Sequence, residues 1–454
     1  MAHRRKENPP SEAPASVGRE PGQGARLLAA RVVDRVITAR VTLDEALEFE
    51  RARAPEVDAR DAALARAIAL ACFRHLGFIR KALDARLQRG LASLPPFVRI
   101  LMETAAAQIL YLDAPDHAAV DIAVGLVRQE PGGHRFTQVA NAVLRRIVRE
   151  AREIGAADSP LRDNMPAWLA DALVADHGPE AAEAIARAHL SEPALDLTVK
   201  GDAALWAERL DALILPDGSL RLRGRAPVPE LPGYAEGAWW VQDASSAVPA
   251  RLLRLRPGDR AADLCAAPGG KTAQLAAAGA DVTAVDRSAQ RLRRLEENLA
   301  RLSLTARIVT ADAERFEAEP FDAVLLDAPC TATGTIRRNP EVAWLKQPQD
   351  QDKLIALQAR LLDRAVTLTR PGGRLVYCTC SLQKAEGEDQ VTALLARHGD
   401  DLALDPIRPE EVGVPEALTA RGEFRALPHQ LPGDTPRLSG WGGFFAARFV
   451  RSSR

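Results

Sequence analysis

From about Arg256 onward, short apolar runs alternate with amphipathic segments, and this alternation is the strongest constraint on the fold. We interpret Arg260–Leu264 as a first strand and Lys271–Ala278 as the helix after it. Further strands are predicted at Asp281–Val285, Arg307–Thr310, Ala323–Leu326 and Leu375–Cys378, and further helices at Ala289–Leu302 and Gln351–Thr369. Such alternation predicts a doubly wound parallel sheet, a Rossmann-like α/β fold. Phe444–Phe449 should add a last strand, antiparallel at the sheet edge.

The preceding residues have a different pattern. From Ala25 to about Arg152 apolar residues recur every three or four positions, which predicts an all-α bundle of about six or seven helices. Between the bundle and the alternating region we predict a small α+β subdomain, with a strand at Ala194–Val199, a helix at Ala203–Leu213 and strands at Leu220–Leu222 and Trp239–Gln242. The predicted organisation is a disordered tail at 1–24, the bundle at 25–153, the subdomain at 165–237 and the α/β domain at 238–454.

Composition limits the class of protein. The chain has 454 residues, of which 47% are hydrophobic, and this supports several globular cores. Its formal charge of −1 neither favours nor excludes a nucleic-acid partner. We expect no membrane span, because no run of about 18 apolar residues lacks a charge. Five cysteines are too few and too scattered for a disulfide framework, so the reducing cytoplasm fits best.

A glycine-containing loop follows the first predicted strand of the α/β region. It spans Asp263–Lys271, at the strand–helix turn where open α/β sheets bind ligands. Asp286, after the second strand, could accept hydrogen bonds from ribose hydroxyls, and Asp312, after the third, from an adenine amino group. Taken singly, either acid could be an ordinary helix cap. The dinucleotide fingerprint and the phosphate loop are both missing, so nicotinamide and ATP chemistry are runner-up interpretations.

Two cysteines follow predicted strands at the same edge of the sheet. Cys330 ends Asp327-Ala-Pro-Cys330, and Cys380 lies within Tyr377-Cys-Thr-Cys-Ser381, so the two should converge on one cleft. One reaction that a thiol in such a cleft can catalyse is methylation of cytosine at carbon 5, which is by itself a poor nucleophile. A thiolate that adds to carbon 6 creates an enamine, which can accept a methyl group at carbon 5.

For the other polar residues near these cysteines, the sequence allows more than one role. We expect Asp327 to hydrogen-bond the cytosine ring nitrogen or amino group. Arg337 and Arg338 could neutralise phosphates, although paired arginines are often only a solvated surface. Cys378 should be buried and point away from Cys380. No second cysteine pair or His-rich segment accompanies them, so we expect no metal.

These motifs resemble the bacterial 16S ribosomal RNA cytosine-5 methyltransferases of the RsmB type, within the NOL1/NOP2/Sun family. The resemblance implies a class I fold that uses S-adenosylmethionine, with Cys380 as nucleophile, Cys330 assisting product release and Asp327 in the catalytic site. The cofactor-binding residues that follow from the loop and the resemblance are Cys265, Ala266, Ala267, Pro268, Gly269, Gly270, Lys271, Asp286, Asp312 and Asp327.

The helical part resembles NusB, an RNA-binding antitermination factor. The similar segments are Arg60–Arg66, Pro115–Val120 and Asn141–Arg146. Three positions depart from the family pattern: Thr331 where serine is common, Leu197–Lys200, and Gly442 in place of an acid.

The resemblance implies RNA as the partner, namely 16S rRNA or a partly assembled small subunit, and we expect a monomer. Two other functions stay open. One is the same chemistry on transfer RNA or another RNA. The other is a non-catalytic NusB-like RNA-binding factor, which would not need Cys330, Cys380 and a complete cofactor loop.

Overall fold

A computed structural model describes residues 22–113, 115–156 and 160–453. These residues divide into two compact units, one made of 22–72 and 79–156 and the other of 73–78 and 160–453. The predicted tail at 1–24 falls almost wholly outside the described residues.

The first unit is helical, as predicted. Its seven helices within the described ranges, two of which extend into 73–78, are α1 Gln23–Ala39, α2 Leu43–Ala52, α3 Ala59–Arg74, α4 Leu76–Asp84, α5 Pro96–Tyr111, α6 Asp116–Gln129 and α7 Thr137–Ala156. The apolar residues that recur along α1 include Val32, Val33 and Val36, which are fully buried. Thr42 and Glu45 form a reciprocal capping box that begins α2.

None of the helices in the described ranges is, by itself, long and apolar enough to cross a membrane. Within the same ranges, α3 and α4 taken together meet such a length and composition test, and they are bent by 75° where they meet.

The second unit begins with a small α+β region. Its elements are α8 Pro160–Asp163, α9 Ala167–His177, α10 Pro179–His189, β1 Asp196–Val199, α11 Ala203–Arg209, β2 Ala212–Ile214, β3 Leu220–Leu222 and β4 Trp239–Val241. The strands form an antiparallel sheet in the order β2-β3-β1-β4. The predicted helix Ala203–Leu213 is therefore wrong at its end. Asp211 adopts a positive φ of 48°, and the chain turns into β2, which pairs with β3.

The rest of this unit is the predicted doubly wound domain. Its strands are β5 Arg260–Leu264, β6 Asp281–Asp286, β7 Arg307–Thr310, β8 Phe321–Asp327, β9 Thr369–Thr379, β10 Leu402–Leu404, β11 Phe424–Ala426 and β12 Phe444–Arg451. Its helices are α12 Ala244–Leu252, α13 Gly270–Ala277, α14 Ala289–Arg301, α15 Val342–Leu345, α16 Pro348–Leu368, α17 Glu388–His398 and α18 Pro409–Val412. Strands β9-β8-β5-β6-β7 are parallel in that order, and buried apolar side chains cover both faces of the sheet.

The last strand is antiparallel but does not lie at the edge. β12 pairs with β9 on one side and with β10 on the other, and Phe445 and Phe449 are fully buried. The edge prediction was wrong because β10 is only three residues long and gave no strand signal in the sequence.

The strand order fixes where a ligand can bind. From β5 the chain winds outward through β6 and β7, then returns to place β8 on the other side of β5. The carboxyl ends of β5 and β8 therefore flank the topological switch point, where open α/β sheets form a crevice. The predicted loop and Asp327 both lie there.

Candidate active site

The loop after β5 is tied to the end of β6. The backbone N–H of Ala267 donates to Asp286 Oδ2 at 3.1 Å, and the N–H of Ser288 donates to Asp286 Oδ1 at 2.9 Å. Gly269 has a φ of 101°, and a Cβ there would lie 2.6 Å from Leu295 Cγ, so this position requires glycine. Asp286 is thus a structural anchor of the loop as well as a candidate ligand.

A first cavity of about 270 Å³ opens beside this loop. Of the predicted site residues it is lined by Cys265, Ala267, Asp286, Asp312, Asp327, Cys330 and Cys380. Leu357 and Leu361 of α16 add an apolar wall, and Arg291 of α14 forms an ion pair with Asp286 at 3.5 Å. Acidic side chains, an apolar wall and both thiols therefore line one cavity.

A second cavity of about 510 Å³ lies on the other side of the same loop. It is lined by Ala266, Pro268, Gly270 and Lys271 among the predicted cofactor residues, together with Asp327 and Cys380. Trp240 of the small sheet, Arg338 and Phe444 complete part of its wall. Asp327 and Cys380 line both cavities, so the two spaces meet at these side chains. Gly269 lines neither.

Lys271 pairs with Asp327 where the cavities meet. Its Nζ lies 2.8 Å from Asp327 Oδ2 and 4.9 Å from the centre of the Phe444 ring, and its side chain is 10% exposed. Burial by itself would lower the pKa of Lys271, but the charge of Asp327 raises it above its ordinary value. Lys271 therefore places a fixed positive charge beside the second cavity, rather than in the first one.

The two cysteines converge as predicted. Cys330 Sγ and Cys380 Sγ are 3.4 Å apart. Their shared hydrogen bond lowers the pKa of Cys380, and the charges of Lys271 and Arg338 act in the same direction. The same hydrogen bond, together with burial, raises the pKa of Cys330. These directions favour Cys380 as the readier thiolate and Cys330 as the thiol that keeps its proton.

Cys378 is buried, as predicted, but it does not point away from Cys380. Residues two apart in a strand share a face, and Cys378 Sγ lies 3.6 Å from Asp327 Oδ1 on the side where Cys380 also packs. The predicted opposite orientation was therefore wrong. Burial raises the pKa of Cys378, and that of Cys265 as well, so neither is a ready thiolate.

The paired arginines have separate roles. Arg337 is 2% exposed and donates to the backbone carbonyls of Ser191, Pro436 and Ser439, so it cannot neutralise phosphates. Arg338 is partly exposed on the second cavity and lies 3.4 Å from Asp243 Oδ2. Of the pair, only Arg338 is accessible to a ligand.

Several residues of the site were not predicted from the sequence. Arg291, Trp240, Asp243 and Phe444 line the cavities, and Glu386 binds the segments beside both cysteines. Asp243 directly follows the predicted strand Trp239–Gln242, and this position at a strand end could have indicated it. Glu386 gave no signal, because its partner Thr331 is 55 residues away.

The thiol pKa shifts predict an order of alkylation. A lowered pKa gives Cys380 a larger thiolate fraction at pH 7, so iodoacetamide should modify Cys380 first, with Cys330 following only at higher pH. Peptide mapping by mass spectrometry measures this order. Cys330→Ala removes the hydrogen-bond donor and should slow modification of Cys380 at pH 7. Earlier modification of Cys330 than of Cys380 would contradict the assignment.

Two family models match the chain. The model described as 16S rRNA methyltransferase RsmB/F covers residues 250–449, and the NusB family model covers residues 23–149. These matches coincide with the α/β domain and the helical unit.

Relatives match over nearly the whole length. The chain is 39% identical over 446 residues to ribosomal RNA small subunit methyltransferase B of Xylella fastidiosa, which covers 95% of this chain and 98% of the relative. The Klebsiella pneumoniae protein of the same name is 35% identical, covering 88% and 97%. A solved methyltransferase homologue from Pyrococcus horikoshii is 27% identical with a TM-score of 0.52, covering 63% of this chain and 94% of that one.

Proposed function

Because this chain belongs to the RsmB/F family of 16S rRNA methyltransferases, with a NusB-family domain before the catalytic one, we propose that it forms 5-methylcytidine in 16S rRNA using S-adenosylmethionine. The observation that carries this proposal is the position of two thiols 3.4 Å apart where two cavities meet. Methylation at other atoms of RNA bases does not need a nucleophilic thiol with a second thiol beside it.

The first cavity fits S-adenosylmethionine. Asp286 at the end of β6 can accept from ribose hydroxyls, Asp312 after β7 can accept from an adenine amino group, and Leu357 and Leu361 can pack on the base. When bound, the cofactor supplies an electrophilic methyl group. Cys380 and Asp327 line the same cavity, so the carbon that accepts the methyl group has to lie beside these two side chains.

The second cavity fits the target cytosine. Asp327 is acceptor-only when ionised, so it can bind the exocyclic amino group of cytosine but not the carbonyl oxygen that uracil has there. Lys271 and Arg338 supply positive charge beside the ring and the backbone. To enter, the base must leave its stack, as bases modified within RNA and DNA do.

The two thiols can act in sequence. Cys380 Sγ, as a thiolate, forms a bond to carbon 6, and the electrons released onto carbon 5 take up the methyl group. The electron pair of the broken sulfur–methyl bond stays on the sulfur of the methyl donor. As a thioether, Cys380 no longer carries the negative charge that opposes ionisation of Cys330. Cys330 can then give its proton to solvent and, as a thiolate, take the proton from carbon 5 to become a thiol again. This restores the ring double bond and expels Cys380 as a thiolate.

The experiment that tests this function is methyl transfer to protein-free 16S RNA, followed by digestion and nucleoside analysis. Labelled 5-methylcytidine is the expected product. Label in another nucleoside would overturn the cytosine-5 assignment. A transfer RNA substrate methylated in preference to 16S RNA would favour the second candidate substrate. No transfer to either RNA or to partly assembled small subunits would favour a binding protein.

Asp286→Ala should weaken cofactor binding by about 10–100-fold while sparing RNA binding, since hydrogen bonds to a charged group contribute about 1.5–3 kcal/mol. Calorimetry with S-adenosylmethionine measures this. Asp281→Ala is the matched control, because Asp281 lies at the opposite, exposed end of the same strand. Unchanged affinity in Asp286→Ala would remove the ribose assignment.

We propose that the other domains of the chain bind the RNA substrate for this reaction. The NusB-like unit at 25–153 and the small α+β subdomain at 165–237 hold the RNA, and residues 238–454 catalyse. All five cysteines are free, which is compatible with the cytoplasm that we propose as its compartment. We propose that the protein acts as a monomer on free 16S rRNA or a partly assembled small subunit.

A further inference from the structure

A buried carboxylate connects the segments that follow the two cysteines. Glu386 is fully buried, and its Oε2 accepts hydrogen bonds from the hydroxyls of Thr331 at 2.5 Å and Ser381 at 2.7 Å. Its Oε1 accepts from the backbone N–H of Thr331 at 3.0 Å and from Gln358 Nε2 at 3.0 Å. Thr331 directly follows Cys330, and Ser381 directly follows Cys380.

The backbone of Glu386 is held as firmly as its side chain. Its carbonyl oxygen accepts from Tyr377 Oη at 2.8 Å and from Thr379 Oγ1 at 3.3 Å, so the residue is fixed to β9 itself. Gln358 of α16 also donates to the carbonyl of Pro329, just before Cys330. The carboxylate is therefore a bridge between the end of β9 and the loop that carries Cys330.

The two cysteines depend on this bridge unequally. Cys380 directly follows Thr379, which is still in register with Phe445 of β12, so the sheet positions it. Cys330 lies three residues beyond Asp327, the last residue of β8, in an irregular loop. Loss of the carboxylate should therefore displace Cys330 more than Cys380.

We propose that Glu386 is a positioning residue for product release, which holds the Cys330 loop against Cys380 through Thr331. This inference rests on the proposed two-cysteine reaction and deepens it. For attack on the base, the sheet alone positions the Cys380 thiol. Removal of the hydrogen at carbon 5 requires in addition that Cys330 is held at a fixed distance from the same base. A displacement of about 1 Å can slow such a step by up to about a hundredfold.

Glu386→Gln tests the proposal, because it keeps the size of the side chain but replaces one of the two acceptor oxygens by an NH2 group that can only donate. Each of those oxygens accepts two hydrogen bonds in the wild type. We expect methyl product to fall about tenfold or more while the covalent RNA adduct on a denaturing gel increases. A purely structural defect would lower adduct and product together and leave their ratio unchanged, which would overturn the proposal.

Substitutions of Thr331 test the same bridge independently of Glu386→Gln. Thr331→Val, which removes the hydroxyl, should shift the ratio in the same direction, and Thr331→Ser should behave as wild type. The double variant Thr331→Val with Glu386→Gln should differ little from either single variant, since both substitutions break the same connection between Thr331 and Glu386. Additive effects would show that the two residues act separately and would contradict the bridge.

Two controls separate the possible failures. Glu423→Gln changes another buried glutamate that accepts from a threonine hydroxyl, that of Thr419, and should keep the wild-type ratio of adduct to product. Cys330→Ala tests the underlying reaction. If Cys330→Ala accumulates adduct and Glu386→Gln does not, only the positioning role is wrong. If Cys330→Ala accumulates none, the two-cysteine reaction itself is wrong.

Discussion

Cys380→Ala is expected to abolish methyl transfer, by at least about 10³-fold, and to leave no covalent RNA adduct. Removal of a nucleophile commonly costs this much or more, because the remaining groups act as a unit with it. Cys330→Ala should also lose turnover, but it should accumulate the adduct, since the Cys380–carbon 6 bond forms and the hydrogen at carbon 5 is not removed. The opposite outcomes follow from the proposed roles of the two thiols, Cys380 as the nucleophile and Cys330 as the group that removes the hydrogen from carbon 5.

The measurement compares labelled methyl incorporation into 16S RNA with the amount of protein that migrates with RNA on a denaturing gel. Cys72→Ala is the control, because Cys72 is buried within the helical unit and lines neither cavity. If Cys330→Ala loses the adduct and Cys380→Ala retains it, the two roles must be exchanged. If both variants keep full methylation, thiol chemistry is not involved.

The geometry of strand ends explains how much of this site the sequence could predict. A parallel sheet brings the residues after each strand to one edge, whatever their separation in sequence. Cys330, Cys380 and Asp327 could therefore be placed together from motifs alone, and the 3.4 Å contact of the thiols agrees with that placement. The family resemblance then added roles that geometry alone could not distinguish.

Side-chain direction was much harder to predict. Lys271 belongs to the cofactor loop in sequence, yet its side chain faces the second cavity and pairs with Asp327, 56 residues away. Arg337 and Arg338 are adjacent and similar, but one is buried against three carbonyls and the other is partly exposed. Such differences depend on tertiary partners that a local pattern does not contain, and the same holds for Glu386.

Asp327→Asn is expected to lower the rate of methyl transfer by about 100-fold, the scale typical of losing one precisely placed polar group at a reacting centre. The carboxylate lies where the cavities meet, and its Oδ2 is 2.8 Å from Lys271 Nζ. An amide removes the charge that matches Lys271 and can donate as well as accept. The variant should therefore lose both the rate of transfer and the preference for cytosine over uracil.

Asp322→Asn is the matched control, because Asp322 lies on the same strand at its other end, where it pairs with Arg370 at 2.6 Å. Single-turnover rates on RNA with cytosine or uracil at the methylated position separate the two expected losses. A slow variant that still discriminates the bases would mean that Asp327 orients Lys271 and does not contact the cytosine amino group. A fully active Asp327→Asn variant would remove Asp327 from the catalytic site.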